Sequence, residues 1–462
     1  MSDDYDVAVI GAGTGGYSCA LRASELGKRV VVIDRDPRVG GTCLLRGCIP
    51  TKALLQSAEV LDTVARSQEW GIVADGRPDW PAIVEFENRI VDKLVAGVTS
   101  LLELRKVEVV HGTARIGSMT GELRSIAVDG RQIHAAEVVI ATGSRPRLLP
   151  EVAITDRILT SDQALWLDRI PMSVVVIGAG AVGLEFASMY RSFGAEVTIL
   201  EAADRLAPLE DEESSKLVAR AFRRRRITAF TGVQVASVKD VGLRVDVTYE
   251  TEGAPTTVSA EVCLVAIGRA PVTDDLGLEA AGVELERGFV KVDTQLHTSA
   301  SHVWAVGDVA TTPLQLAHVA FTEGYAIAER IAGLDVAEID YAQIPRVTYS
   351  TPEIASVGLT EAQARERGLD VDIEVLDLKS IGKANIVGEG GAVKVIAEHD
   401  GPVVGIHMVG PHATDLIAEG MLITNWEATA ADVAQLHHPH PSLSEAFGEA
   451  FLSLAGKPLH SA

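Results

Sequence analysis

Runs of β-branched residues that end in glycine turns, each followed by a helical stretch, recur along this chain. Val7 to Gly16 reads V-A-V-I-G-A-G-T-G-G, and Val174 to Gly183 reads V-V-V-I-G-A-G-A-V-G. A short continuous apolar run predicts a strand covered on both faces, and the glycine spacing predicts a tight turn into a helix. In each copy a second strand follows, Val30 to Asp34 and Val197 to Glu201, closing on a carboxylate 18 residues after the third glycine. The repeated order of strand, Gly-x-Gly-x-x-Gly, helix, strand and acid predicts two dinucleotide-binding units.

Between and beyond these units the pattern gives further elements. Apolar Leu54, Ala58, Leu61 and Ala65 fall on one face of a helix that Pro50 opens. Val262 to Ile267 predicts a strand closing on Gly268-Arg269-Ala270-Pro271, and Val303 to Asp308 a strand ending in a polar turn. From about Arg346 the texture changes. Val393 to Ile396 and Val403 to Ile406 flank a turn at Asp400-Gly401-Pro402, which reads as a β-hairpin, and helical patterns follow at Ala413 to Trp426 and Leu443 to Leu454. The expected class is α/β: two Rossmann-like dinucleotide-binding domains plus a C-terminal α+β domain.

The glycines carry the chemistry of these turns. Gly11 and Gly178 permit the sharp turn, Gly13 and Gly180 let backbone amides approach a pyrophosphate, and Gly16 and Gly183 let helix pack on strand. The helix N-terminus then offers the anion unpaired N–H groups and a partial positive charge. Asp34 and Glu201 can each accept hydrogen bonds from a ribose diol. Glu201 also repels a 2′-phosphate, which favours NAD over NADP at the second site, and Arg205 offsets that preference slightly.

Length, composition and charge narrow the function. A chain of 462 residues exceeds one hydrophobic core. Apolar residues are 47% and charged residues 23%, ordinary for a soluble α/β protein, and 42 glycines fit several close backbone approaches. The formal charge of -23 opposes nonspecific binding to nucleic acid or to an anionic membrane surface. The basic run Arg223 to Arg226 reads as a solvated helix end. An acidic N-terminus without a basic n-region, and no apolar stretch of the roughly 18 residues a membrane span needs, predict a cytoplasmic protein. Four cysteines do not make a secreted disulfide framework, so a lasting disulfide in a reducing cytoplasm would be catalytic.

Cys43 and Cys48 lie in Gly41-Thr-Cys43-Leu-Leu-Arg-Gly-Cys48-Ile-Pro-Thr-Lys52, about thirty residues past the first glycine turn. The helix start, Lys52 and Arg46 are all expected to lower a thiol pKa. Cys19 and Cys263 fall on a helix and a strand as core residues, which argues against zinc. Nicotinamide moves a hydride, whereas a disulfide opens through thiolate attack, so two dinucleotide sites beside a dithiol imply a flavin as the bridge. FAD at the first site and NAD at the second follow. In His437-His438-Pro-His440-Pro441-Ser-Leu-Ser-Glu445, the prolines and the lack of helical spacing argue against a metal site.

These residues resemble the FAD-dependent pyridine nucleotide-disulfide oxidoreductases over essentially the whole chain, and Gly-Gly-Thr-Cys-x-x-x-Gly-Cys-Ile-Pro-x-Lys is among the more specific motifs. The resemblance implies Cys43 as the interchange thiol, Cys48 as the thiolate against the flavin, and Lys52 beside the flavin ring with Glu185 as its ion-pair partner. It implies His440 as the acid/base and Glu445 as its orienting carboxylate, a task suited to a side chain whose unperturbed pKa is about 6.5. Implied cofactor contacts extend to Gly41, Thr42, Ala114, Thr142, Gly143, Asp308, Ala317 and Gly268. Implied domains are 1–147 for FAD, 148–271 for NAD, 272–343 completing the FAD domain, and 344–462 for dimerisation. The His440 pair of one subunit would reach the dithiol of the other in a homodimer.

The implied activity is oxidation of protein-bound dihydrolipoamide with reduction of NAD. Implied partners are lipoyl-bearing proteins and the acyltransferase subunit of 2-oxo acid dehydrogenase complexes or the glycine cleavage system. The rival within the family is an NAD(P)H-dependent reductase of glutathione or mycothione type; Glu201, and Ala181 where glutathione reductases carry a tyrosine, count against it. A noncatalytic assembly subunit is disfavoured by the intact Cys43, Cys48, His440 and Glu445. Departures from the family pattern are Leu45-Arg46 between the cysteines, Thr51 for serine, Ser442 for threonine and Asp34 for glutamate. Arg46 places an extra cation in the dithiol segment and is expected to shift the thiolate.

Overall fold

The computed structural model describes residues 4–251 and 253–460; the first three residues of the acidic N-terminus lie outside them. Val7 to Ile10 and Val30 to Ile33 are buried throughout, as strands covered on both faces must be. They pair in parallel with Val9 opposite Val32, and Asp4–Ile10 pairs on its other side with Arg131–Ile140. The sheet runs in the order Glu108–His111, Val30–Asp34, Asp4–Ile10, Arg131–Ile140, Leu123–Val128, Ala114–Thr120, and Val303–Ala305 also pairs with Arg131–Ile140. This sheet belongs to a compact unit of Met1–Ala53, Val84–Arg147 and Arg269–Tyr341.

The helices Thr14–Glu25 and Ala317–Ile331 pack tightly in this unit because glycine faces glycine. A Cβ at Gly324 would fall 2.5 Å from the Gly15 carbonyl oxygen, and one at Gly15 would fall 3.3 Å from the Ala320 oxygen. Any larger residue would push the helix that begins at Ala317 off the first dinucleotide helix.

A second unit comprises Leu54–Ile83, Leu148–Gly268 and Ala342–Ala462. Its parallel sheet runs Thr228–Phe230, Glu196–Leu200, Ser173–Ile177, Val262–Val265, Ile158–Leu159. Its antiparallel sheet runs Arg346–Thr348, Glu353–Gly358, Val403–Gly410, Ala392–Glu398, Val371–Asp377. Ala392–Glu398 and Val403–Gly410 form the expected hairpin. The helix Glu445–Leu454 buries Ala446, Phe447, Ala450 and Phe451 completely, in the same apolar cluster as strand residues Val393, Val395 and Ile406, the i, i+1, i+4, i+5 stripe of a helix lying on a sheet. The buried Lys394 ammonium ties Asp211 at 2.8 Å and Glu361 at 2.7 Å.

Two expectations need correction. The cysteines do not share one helix entrance: Cys43 lies inside the short helix Gly41–Arg46, and Cys48 opens the helix Cys48–Arg66. Of the predicted apolar stripe, Leu54 and Ala58 are buried, whereas Ala65 is exposed.

Candidate active site

The two glycine turns repeat each other closely. Gly11 and Gly178 have φ of +110° and +103°, and a Cβ there would meet the Ala141 and Ala266 carbonyl oxygens at 2.3 and 2.4 Å. Gly16 and Gly183 stand under the oxygens of Gly11 and Gly178, which a Cβ would meet at 1.9 and 2.0 Å. The helices Thr14–Glu25 and Ala181–Ser192 start at Gly13 and Gly180 with no side-chain cap, so their first amides point outward as donors. Gly180 faces open space. An uncapped donor set with room for a close approach is the chemistry a pyrophosphate needs, and both turns fit a dinucleotide.

The acids repeat as well. Asp34 Oδ2 accepts the Ala12 N–H at 2.5 Å and Oδ1 the Asp36 N–H at 2.8 Å. Glu201 Oε2 accepts the Ala179 N–H at 2.5 Å and Oε1 the Ala203 N–H at 2.7 Å. Each carboxylate thus holds its glycine turn and its own following loop. Burial raises the Asp34 carboxyl above its ordinary value, against the amide bonds and the Arg46 cation.

The dithiol segment is seated on the first turn. A Cβ at Gly41, where φ is +58°, would fall 2.6 Å from Gly13 Cα, and the Gly40 amide donates to the Ala12 oxygen at 2.8 Å. Cys43 and Cys48 are hydrogen-bonded to each other, and this bond, with burial and the Cys48 charge, drives the Cys43 pKa upward; Lys52 pulls it down and Asp308 pushes it up. The depressed thiol expected from the sequence survives only as the Lys52 contribution, which the neighbouring sulfur outweighs. Arg46 does not add to it. Its guanidinium is paired with Asp36, in the loop that Asp34 holds. Burial, then the two cysteines, push the Tyr17 phenol up to about 12. Cys19 and Cys263 are fully buried, and desolvation raises each to about 12.

The remaining first-unit candidates lie on several elements, and of these Asp308 acts on Cys43. Thr42 and Lys52 are half-buried. Thr142 Oγ1 donates to the Val272 oxygen at 2.6 Å, and Gly143 has φ of +68° with open space beside it. Asp308 stands in the turn Gly307–Val309, where its Oδ2 accepts from Ser144 Oγ at 2.5 Å. Ala317 opens the helix Ala317–Ile331, which has no side-chain cap. Ala114 is buried at the start of its strand, paired with Val128. In the second unit Gly268 is exposed with φ of +107°. Glu185 is buried in the helix Ala181–Ser192, where its Oε1 accepts the Tyr349 amide at 3.0 Å.

His440 projects into solvent, 77% exposed, with Nδ1 2.7 Å from Glu445 Oε1. Glu445 Oε2 accepts the Ser442 amide at 2.8 Å. Burial pushes the Glu445 carboxyl upward, but the Ser442 amide and the His440 and His460 charges outweigh it and leave the pKa lowered. The anchored carboxylate fixes one ring nitrogen and leaves Nε2 directed outward. Among the described residues no group of three or more His, Cys, Asp and Glu could hold a metal, and no helix is long and apolar enough to cross a membrane.

Residues 5–324 match the pyridine nucleotide-disulphide oxidoreductase family, and residues 344–451 match its dimerisation domain. Dihydrolipoyl dehydrogenases of Bacillus subtilis and Zymomonas mobilis are each 40% identical to this chain, with all of both chains covered. The chain belongs to the pyridine nucleotide-disulphide oxidoreductases. Among solved structures, LpdA of Mycobacterium tuberculosis superposes with a TM-score of 0.90 at 30% identity, covering 97% of this chain and 99% of that one. RclA of Escherichia coli, an HOCl-induced flavoprotein disulfide reductase, superposes in its Cu(II) complex at 0.87 and 27% identity, covering 98% and 100%. As a member of this oxidoreductase family the protein is a flavoprotein disulfide oxidoreductase that uses FAD and NAD(H), and it carries the family's dimerisation domain.

Several site residues of this pyridine nucleotide-disulphide oxidoreductase escaped the sequence reading. Glu323 is fully buried and accepts the Gly307 amide at 2.7 Å and the Tyr341 hydroxyl at 2.9 Å, which sets the turn carrying Asp308. Ser144 links Asp308 to Arg269, whose Nε donates to Ser144 Oγ at 2.6 Å. His438 Nε2 lies 2.7 Å from Glu419 Oε1. These partners are 16 to 164 residues apart, and a polar residue inside a helical stretch such as Glu323 gives no sign of which amide it will meet.

Proposed function

We propose that this protein oxidises protein-bound dihydrolipoamide to lipoamide with reduction of NAD, through a disulfide formed by Cys43 and Cys48. The observation that carries the reading is the hydrogen-bonded sulfur pair seated on the first glycine turn, in a chain whose full-length relatives are dihydrolipoyl dehydrogenases. FAD, when bound, supplies the two-electron relay between that dithiol and NAD.

The chain's own residues handle sulfur and proton. His440 takes a proton from one substrate thiol, and the thiolate attacks Cys43 Sγ of the oxidised pair. The Cys43–Cys48 bond breaks and its electron pair stays on Cys48. The second substrate thiol then attacks the sulfur joined to Cys43, closing lipoamide, while its proton passes to the departing Cys43 sulfur. Glu445 orients His440 and balances the imidazolium that forms. Lys52, with Glu185 as its ion-pair partner by the family pattern, would hold the flavin ring, and Gly11, Gly13, Gly16, Asp34, Gly41, Thr42, Ala114, Thr142, Gly143, Asp308 and Ala317 would hold the rest of FAD. Gly178, Gly180, Gly183, Glu201 and Gly268 would hold NAD.

The His440–Glu445 pair is far more exposed than an enclosed acid/base, which suits a pair that completes the dithiol site of the other subunit in a homodimer. Lipoyl-bearing proteins and the acyltransferase subunit of a cytoplasmic 2-oxo acid dehydrogenase or glycine cleavage complex are its partners. The deciding experiment assays dihydrolipoamide with NAD, and glutathione disulfide and mycothione with NADH and NADPH. Rapid NADH formation from dihydrolipoamide is expected; turnover confined to a low-molecular-weight disulfide would replace this reading.

A further inference from the structure

The four arginines at the end of the helix Glu212–Arg224 do not behave as one solvated helix end. Arg225 turns inward, where its guanidinium donates to Asp62 Oδ2 at 2.9 Å, Ser192 Oγ at 2.6 Å and the Thr351 oxygen at 3.0 Å. Arg223 and Arg226 instead line a cavity of about 800 Å³, together with Arg205 from the loop after Glu201. Among the described residues neither the Arg223 nor the Arg226 side chain has a hydrogen-bond or ion-pair partner. Arg205 donates to the Pro208 oxygen at 3.2 Å, while its Nε is buried without a partner.

Lys216 also lines the cavity, but it is paired with Glu212 at 2.8 Å. Asp204 is the other lining carboxylate, so four cations face two anions in a protein whose formal charge is -23. Helix polarity explains cations at a helix C-terminus; it does not explain why Arg205, from another element, joins them. Arg226 also holds φ of +61° where the helix stops, with the Ile227 amide donating to the Phe222 oxygen at 2.9 Å. Glycine favours that position, and an arginine there costs about 1 kcal/mol. The floor includes the accessible apolar residues Ala219 and Ala229 beside buried Leu206, Phe222 and Ile227.

We propose that this cavity binds a small phosphate-bearing ligand of nucleotide size, separately from the dinucleotide site. Unpaired guanidinium groups match a phosphate, the apolar floor matches a flat ring, and the volume lies within the range of small-molecule sites. Neither Glu201 nor Gly178, Gly180 or Gly183 lines it.

The test is calorimetric titration of the FAD-loaded protein with 5′-AMP, and in parallel with inorganic phosphate, while saturating NAD fills the dinucleotide site. One AMP per chain is expected, weakening as salt rises. The Arg223→Ala/Arg226→Ala double variant should bind AMP roughly ten- to a hundredfold more weakly, with KM for NAD and flavin content unchanged. Arg224→Ala, outside the cavity, should bind as the parent does. Both arginines are exposed, so the fold does not depend on them, and Arg223→Glu should act in the same direction. Failure of both AMP and phosphate to bind in the presence of NAD would overturn the proposal, as would AMP affinity indifferent to the double variant. A selective rise in KM for NADP in that variant would also overturn it, by assigning the arginines to the 2′-phosphate of a bound dinucleotide.

Discussion

His440 Nδ1 and Glu445 Oε1 stand 2.7 Å apart, and the same carboxylate is anchored by the Ser442 amide. Because that anchor fixes the ring, loss of the imidazole and loss of the carboxylate should differ in degree. His440→Gln should lower kcat for dihydrolipoamide oxidation by about 10²- to 10⁴-fold, and Glu445→Gln by less. Reduction of an artificial dye by NADH, which needs no dithiol proton transfer, should stay near the parent rate in both. Equal loss of dye reduction would place the pair elsewhere in the reaction.

The sulfurs are expected to be unequal. Cys43→Ser should retain a long-wavelength absorption from a thiolate lying against the flavin, and Cys48→Ser should lose it. Visible spectra of the two purified variants at neutral pH decide the matter, and the reverse pattern would exchange their roles.

Glu201 accepts the Ala179 amide of the second glycine turn and the Ala203 amide of its own following loop. Glu201→Ala should therefore raise KM for NAD roughly tenfold and narrow the preference over NADP, since one or two hydrogen bonds to a charged group are lost. Steady-state kinetics with both nucleotides provide the check; an unchanged ratio would remove Glu201 from ribose recognition.

Lys394 neutralises two carboxylates that burial would otherwise push up. Its bonds leave Asp211 and Glu361 below the ordinary carboxylate range. A depressed carboxyl stabilises the fold above its unfolded pKa and loses that contribution as pH falls through the folded value. Lys394→Met should thus destabilise by about 3–5 kcal/mol at neutral pH, with the gap to the parent closing as the acids protonate. Denaturant melts at neutral and acid pH measure this.

Glu87 has the opposite sign. It is fully buried in the helix Trp80–Leu104, both oxygens lack a partner among the described residues, and burial pushes its carboxyl up to about 8. The folded chain binds this proton more tightly than the unfolded one, so the cost is absent at acid pH, grows as pH rises through the usual carboxylate range, and levels off above about 8. Glu87→Gln should stabilise by roughly 1–3 kcal/mol at alkaline pH and change little at acid pH. Thermal melts across that range would show otherwise if Glu87 finds a partner in the dimer.

What could be read from the chain was what local pattern encodes. Val7 to Ile10 and Val174 to Ile177 declare buried strands, the glycines declare the turns, and Asp34 and Glu201 follow at a fixed spacing. The hairpin around Asp400 and the helix from Ala413 were equally legible. Hidden were the relationships that only packing creates. Arg46 looked like a cation for the thiols because it lies between them in sequence, yet its helix turns it toward Asp36. Cys43 was expected to be acidified by a helix start, but the strongest influence on it is the other sulfur, which raises it. Arg223 to Arg226 read as one charged run, though a helix fans such residues around its axis and sent Arg225 inward.

The pairing of Val303–Ala305 with Val138, Val139 and Ile140 has a consequence during synthesis. That edge of Arg131–Ile140 is apolar, and it cannot be covered until a strand some 160 residues later has left the ribosome. At about 5–20 residues per second, the interval is on the order of 10–30 s. Throughout it, Val138 to Ile140 lack that partner, a short strand edge of the kind that templates aggregation, so chains released before Val303 is made are expected to aggregate more readily than the finished protein.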